Sequence, residues 1–186
     1  MGYHTFPVER AGDLEDPARY RYCSREELVA AIATGPDGLA LDIGCGTGFF
    51  TRDVAPFVAG VLAVDIQPAM LGYLRANDPP PGVAPVAAGA AALPVRTDAV
   101  AVAFSTMTFH EYADEEAHRE VHRVLEPGGR YVVVDWSSDG AGERGPDLEE
   151  RYDLPEAASA LQSVGFHVAR TERRPETFLL VARADG

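Results

Sequence analysis

The chain has 186 residues, with 29 acidic against 16 basic side chains and a net charge of −13. That length suits one domain around one sizeable core. The charge opposes nucleic-acid binding, because an acidic surface repels the phosphates that supply most of such binding free energy.

All the basic residues are arginine. An acidic, lysine-free surface stays soluble where salt screens charge strongly, and this composition resembles that of proteins from salt-loving archaea. No apolar run is long enough to cross a bilayer. Residues 1–10 lack the basic-then-apolar order of a secretion signal. Cys23 and Cys45 give neither a disulfide framework nor zinc-ligand spacing, so a reducing cytoplasm and no metal are the expectations.

Residues 1–35 are polar and aromatic and read as an N-terminal cap segment, with the globular domain over 36–186. Within the cap, Ser24-Arg-Glu-Glu27 has capping-box spacing and predicts a helix start. Pro36-Asp-Gly38 reads as a turn. Residues 39–43 form a short apolar run expected to be a buried strand. A helix is expected over 47–58, with Pro56 near its end, and a second buried strand over 61–66. Pro68 suits the first turn of a helix running to about Asn77. Further strands are expected over 83–88 and 99–105. Asp114 opens a helix with Ala117, Val121, Val124 and Leu125 on one face, stopping at Pro127-Gly-Gly129. A fifth strand is expected over 130–135, a loop over 137–153 and a helix over 155–164. Residues 166–171 and 177–182 are two strands whose linker is too short for a crossover helix, so they pair antiparallel. Strands alternating with helices predict an α/β Rossmann-like fold: a doubly wound, mostly parallel seven-stranded sheet closed by a C-terminal antiparallel hairpin.

Asp42-x-Gly44-x-Gly46-x-Gly48 follows the first strand and opens a helix. Glycines there let the chain turn sharply and let a ligand approach the main chain, and helix-start amides attract anions. The spacing departs from the dinucleotide pattern G-x-G-x-x-G, whose third glycine would fall on Phe49 or Thr51. Asp65 lies about 20 residues on, where a carboxylate can accept both hydroxyls of a ribose.

These residues resemble the motifs of class I S-adenosylmethionine-dependent methyltransferases. The glycine loop is similar to the family's first motif and Val64-Asp-Ile-Gln-Pro-Ala-Met70 to its second. Gly89-Ala-Ala-Ala-Leu-Pro-Val95 resembles its adenine-contact segment, and Arg123-Val-Leu-Glu-Pro-Gly-Gly-Arg130 the turn before the fifth strand. The closing hairpin is the family's usual last element. The resemblance, of the type 11 kind, covers most of residues 39–183. It implies methyl transfer from S-adenosylmethionine, with S-adenosylhomocysteine as product, to a small or medium-sized acceptor. It also implies a cofactor site at Asp42, Gly44, Cys45, Gly46, Thr47, Gly48, Asp65, Ile66, Met70, Gly89, Ala90, Ala91, Phe104 and Ser105. Asp65 would hold the ribose, Ile66 and Ala91 would flank the adenine, and Phe104, Ser105 and the residues after them, in the segment 104–112, would border the reacting methyl. Asp42 either touches cofactor or orients the loop through backbone amides; Asp65 could also cap the next helix. One position departs from the family: an Asp that contacts the adenine amino group is replaced by Ala90, so backbone groups or water would have to take its place.

Methyl transfer is chiefly positioning and water exclusion, and a base is needed only when the acceptor arrives protonated. His110 and Glu111 are the candidate bases; the rival role for His110 is packing or hydrogen bonding in its loop. Tyr20, Phe109, His110 and Tyr152 are candidate acceptor contacts, as are Tyr3, Phe6 and Tyr22 in the cap. The Asn/Asp-Pro-Pro-Tyr/Phe segment of nucleic-acid amino-methyltransferases is absent. Gly145-Pro-Asp-Leu-Glu-Glu-Arg151 resembles a segment of small methyltransferases grouped with quinone-biosynthesis enzymes. His118 and His122 are spaced like a metal pair but lack a third ligand, and read as a solvated surface pair. Two rival functions stand beside methyl transfer: an S-adenosylmethionine-binding module without turnover, for which Ala90 leaves room, and an NAD-dependent oxidoreductase, opposed by the glycine spacing and the hairpin.

Overall fold

The computed structural model describes residues 5–35 and 37–185. Tyr3, expected near the acceptor, and Pro36 of the expected turn lie outside them. Seven strands form one sheet: β1 (Leu39–Ile43), β2 (Gly60–Asp65), β3 (Val83–Ala87), β4 (Val100–Thr106), β5 (Leu125–Trp136), β6 (Phe166–Arg173) and β7 (Thr177–Ala184). Their order is β3-β2-β1-β4-β5-β7-β6. β1 pairs parallel with both β2 and β4, and β4 parallel with β5. β7 inserts antiparallel between β5 and β6. The doubly wound sheet with its closing hairpin is therefore as expected. The chain leaves β1 for β2 on one side and later returns to lay β4 on the other. That reversal opens a crevice at the strands' carboxyl ends, where open α/β sheets bind ligands.

Among the described residues six α-helices cover the sheet: α1 (Arg25–Ile32), α2 (Phe49–Val54), α3 (Pro68–Ala76), α4 (Phe109–Tyr112), α5 (Glu115–Val124) and α6 (Leu154–Gln162). Residues of α1 and α2 share one core cluster with Val102, Phe104, Val132 and Val134. Residues of α5 and α6 share the other with Leu41, Ala103, Tyr131 and Val133. Successive strand residues thus enter opposite cores, as the pleat requires. The Ser24 hydroxyl accepts from Glu27 N–H, but the Glu27 carboxylate pairs with Arg174, so the capping box is only half formed. Asp153 and Glu156 complete a reciprocal box at α6.

Three boundaries differ from expectation for identifiable reasons. α2 begins at Phe49 rather than residue 47, because Gly48 takes φ +85°. It yields at Ala55 to a single 3₁₀ turn that holds Pro56. Leu125, expected on the helix, instead begins β5 opposite Val100; a register shift then brings Arg130 opposite Val102, so Pro127-Gly-Gly129 lies inside the strand. The expected solvated histidine pair is also corrected. His118 is buried and stacked on Phe109, with ring centroids 5.2 Å apart, and neither ring nitrogen has a partner. His122 packs edge-on against Phe166. Both follow from α5 lying against α4 and the hairpin, which covers the flank of its apolar stripe.

The turn from β1 into α2 depends on glycine at two points. Gly44 has φ +72°, and a Cβ there would lie 2.2 Å from the Thr108 methyl; at Gly48 a Cβ would lie 2.3 Å from Leu74. Gly44→Ala is expected to cost about 2 kcal/mol or more of unfolding free energy in urea, from backbone strain and the clash together.

Burial holds the His118 pKa down at about 4, against an ordinary value of 6.5. The unfolded chain therefore takes up this proton first as pH falls. His118 stabilises the fold fully above about pH 6.5 and progressively less towards pH 4. Replacing it by Phe should flatten the pH dependence of unfolding over that window, by on the order of 2–3 kcal/mol between its ends.

Candidate cofactor and acceptor cleft

A cleft of about 1180 Å³ opens at the carboxyl ends of β1, β2 and β4. This exceeds the roughly 300–1,000 Å³ usual for one drug-sized ligand, so there is room for two. One end is walled by Gly44, Cys45 and Gly46 of the glycine loop, by Asp65, Ile66 and Met70, and by Ala88, Gly89 and Ala90. The amides of Gly44 and Cys45 both donate to Val64 O at 2.9 Å, which locks the loop onto β2. The Asp65 carboxylate accepts Gly46 N–H on Oδ2 and Gln67 N–H on Oδ1, each at 2.8 Å. Burial raises its pKa, and the two amides limit the rise without cancelling it. Asp65 thus both sets the start of α3 and presents a fixed carboxylate to the cleft.

Eight of the fourteen expected cofactor residues line this cleft: Gly44, Cys45, Gly46, Asp65, Ile66, Met70, Gly89 and Ala90. Asp42 does not. It is buried beneath the loop, where Oδ2 accepts from the Thr51 hydroxyl at 2.5 Å and Oδ1 has no partner. Burial pushes its carboxyl up to about 7. Thr47 and Gly48 turn inward with it, and Ala91 packs on the core instead of facing the cleft. Phe104 and Ser105 are also fully buried; Phe104 points into the core beneath α1 and α2. β4 runs on through Thr106, so the residues that border the cleft are Thr106, Met107 and Thr108. Thr108 Oγ1 donates to Gly44 O at 3.2 Å, tying β4 to the glycine loop.

At the other end stands His110. Its backbone N–H donates to Asp135 Oδ2 at 2.6 Å, and its Nδ1 lies 3.0 Å from both Asp135 oxygens. Asp135 also accepts Trp136 N–H at 2.8 Å. The imidazole is therefore fixed in place with Nε2 on the side away from the carboxylate. Burial opposes its protonation, but Asp135 and the nearby Glu111 and Glu150 outweigh burial and raise its pKa. Burial pushes the neighbouring Glu111 carboxyl up to about 7. Gln67 Nε2 donates to Phe6 O at 3.0 Å, and the Phe6 amide opposes the rise in the Glu111 pKa, so Phe6 is held at the cleft beside Glu111.

Of the four expected acceptor contacts only His110 lines the cleft. Tyr20 bonds Asp53 at 2.8 Å on the outer side of α2. Phe109 is stacked behind the wall on His118, and the Tyr152 hydroxyl is spent on Ala113 O. Phe6 and Tyr22 of the cap do line it. Two charged groups are not marked by the sequence pattern: Asp135, buried behind His110, and Arg19, which lines the cleft. Asp135 ends a Val-Val-Val run, where an ionisable residue on a buried strand signals a specific partner. Arg19 lies in the cap with its guanidinium 5.1 and 4.9 Å from the Phe49 and Phe50 rings, and donates to Leu14 O at 2.7 Å. Burial lowers its pKa to about 10.

The residues present fit a ribosyl cofactor. Bare main chain at the glycine loop, a carboxylate with unused lone pairs at Asp65 and apolar flanks at Ile66, Met70 and Ala90 meet in one cleft. Comparison with known proteins agrees. The methyltransferase-domain family matches residues 41–133. The chain is 43% identical over 112 residues to the malonyl-[acyl-carrier protein] O-methyltransferase of Methylococcus capsulatus, covering 56% of this chain and 40% of that one. It is 33% identical over 117 residues to a Mycobacterium demethylmenaquinone methyltransferase, covering 61% and 48% respectively. The chain thus spans less than half the length of either relative. The crystal structure of a SAM dependent methyltransferase from Aquifex aeolicus superposes with a TM-score of 0.88 at 24% identity, over 97% of this chain and 100% of that one. Its fold is shared from end to end, and with half of the sequence matched by the family the chain belongs to the S-adenosylmethionine-dependent methyltransferases of the methyltransferase-domain type.

Proposed function

We propose that this chain transfers a methyl group from S-adenosylmethionine to a small-molecule acceptor. The observation that carries the reading is Asp65, fixed by two backbone amides at the cleft wall beside the glycine loop. Its remaining lone pairs accept the ribose hydroxyls. Gly44, Cys45 and Gly46 admit the methionine end, with Arg19 supplying positive charge to its carboxylate. Ile66, Met70 and Ala90 flank the adenine, whose amino group is left to backbone groups or water. When bound, S-adenosylmethionine supplies a methyl on a positively charged sulfur, open to in-line displacement by the acceptor atom with the bonding pair left on sulfur. Phe6, held by Gln67 and lining the cleft, helps exclude water from that line.

For a protonated acceptor, His110 Nε2 takes the proton and Asp135 stabilises the imidazolium that results. The small-molecule relatives and the strongly acidic surface support a small acceptor over nucleic acid. The free thiols support a reducing, cytoplasmic setting, with Cys23 so buried that its pKa rises to about 12. The net charge of −13 without lysine supports a salt-rich one.

Two measurements test the roles. Calorimetric titration with S-adenosylhomocysteine should show Asp65→Ala binding about 10–100-fold more weakly, from loss of charge-assisted bonds; wild-type affinity would exclude the ribose role. With a protonated acceptor, the rate should rise with pH through a pKa above 6.5, because only the neutral imidazole accepts a proton. Asp135→Asn should move that limb to lower pH and reduce kcat by about tenfold or more, with S-adenosylhomocysteine affinity retained. An unmoved limb would assign the base elsewhere.

A further inference from the structure

Charge pairing across the molecule is nearly complete on the basic side. Among the described residues every arginine has a hydrogen-bond or ion-pair partner except Arg21, Arg96 and Arg144. In a chain with 29 acidic residues an unpaired arginine is conspicuous, because carboxylates are everywhere at hand. Two of these three line the same cleft.

Their backbones are also held. Arg21 ends a 3₁₀ turn, Pro17–Arg21, and adjoins Tyr22, whose ring lies 4.7 Å from Trp136. Tyr22 O accepts Arg174 Nη1 at 2.9 Å. Arg144 precedes Gly145, which is pressed so closely on Trp136 that a Cβ would lie 2.6 Å from the indole. The carbonyls of Arg144 and Pro146 accept from the buried guanidinium of Arg151, at 2.5 and 2.8 Å. Two fixed stretches of chain thus meet on one indole, and each carries an exposed arginine without an ion-pair partner that lines the cleft.

We propose that Arg21 and Arg144 bind an anionic group of the acceptor, a carboxylate or a phosphate, beside the Tyr22–Trp136 ring pair. This rests on the acceptor reading of the cleft given above. A molecule with a net charge of −13 repels anions at long range, so an anionic acceptor requires local cations left free of internal carboxylates. A guanidinium offers paired N–H donors that match either anion. Glu143 and Glu150 line the same cleft, and Glu111 lies beside His110. Glu111 and Glu150, which act on His110, disfavour an anion near the base, so the anionic group belongs on the Arg21–Arg144 side, with the reacting atom towards His110.

Trp136 is the chain's one tryptophan, so its emission reports this wall. Protein saturated with S-adenosylhomocysteine would be titrated with benzoate, phenyl phosphate and the uncharged benzamide. Saturable quenching by at least one anion is expected, with benzamide weaker by about tenfold or more. Arg21→Gln/Arg144→Gln should lose that anion affinity by about tenfold or more, and Glu143→Gln should keep or strengthen it. Tighter benzoate would assign a carboxylate, tighter phenyl phosphate a phosphate. Equal binding of benzamide, unchanged anion binding in the double variant, or no saturable response to either anion would each overturn the proposal. The S-adenosylhomocysteine melting shift, measured separately on wild type and variant, reports the cofactor reading independently.

Discussion

The cleft depends on one carboxylate holding two turns together. Asp65 leaves the end of β2 and bonds the amide of Gly46 in one loop and that of Gln67 in the next. The first bond fixes where the glycine loop sits over the sheet, and the second fixes where α3 starts. A buried carboxylate lacking such donors would be costly, and the same donors position it for a ligand. Gly44 adds the third edge through Thr108 at the end of β4. Three strand ends are thereby locked to one loop, which makes the site a property of the sheet rather than of a mobile segment.

Acidity is graded through this region. Asp42 under the loop and Glu111 in the cleft both have carboxyls pushed up to about 7 by burial, whereas Asp65 is partly relieved by its amides. Arg19 is the nearby counter-charge, held against two phenyl rings. Ionising these carboxyls therefore puts costly negative charge in the site before any ligand arrives. A sulfonium cofactor relieves that charge electrostatically, while an anionic acceptor does not unless arginines intervene.

Much of this was legible in the sequence, and the failures share a cause. The strands from residues 39–105 and the closing hairpin were readable because buried runs bounded by turn residues have one reading. The glycine loop and Asp65 stand out by residue type and spacing, and the fold brings both to one cleft. Phe104 and Ser105 lie buried, with Thr106, Met107 and Thr108 at the cleft, because β4 extends one residue further than its apolar run, into Thr106. His118 was misread because helical spacing places it at the flank of the apolar stripe, and only packing of α4 decides whether the flank is covered. The His110–Asp135 pair joins residues 25 apart through the sheet's order, a relation no local pattern contains. Tyr20, read from its aromatic character alone, faces away from the cleft because Asp53 offers its hydroxyl a partner.

Arg151 grips the segment before it entirely by main-chain carbonyls, those of Arg144, Pro146 and Ser137. A clasp on carbonyls is indifferent to the side chains it carries. Residues 143 and 144 can therefore be exchanged without loosening the segment from Trp136, provided Gly145 is kept. The wall of the cleft is thus divided into a frame that tolerates little change and a rim that tolerates much, which is the arrangement by which one scaffold can be turned towards different acceptors.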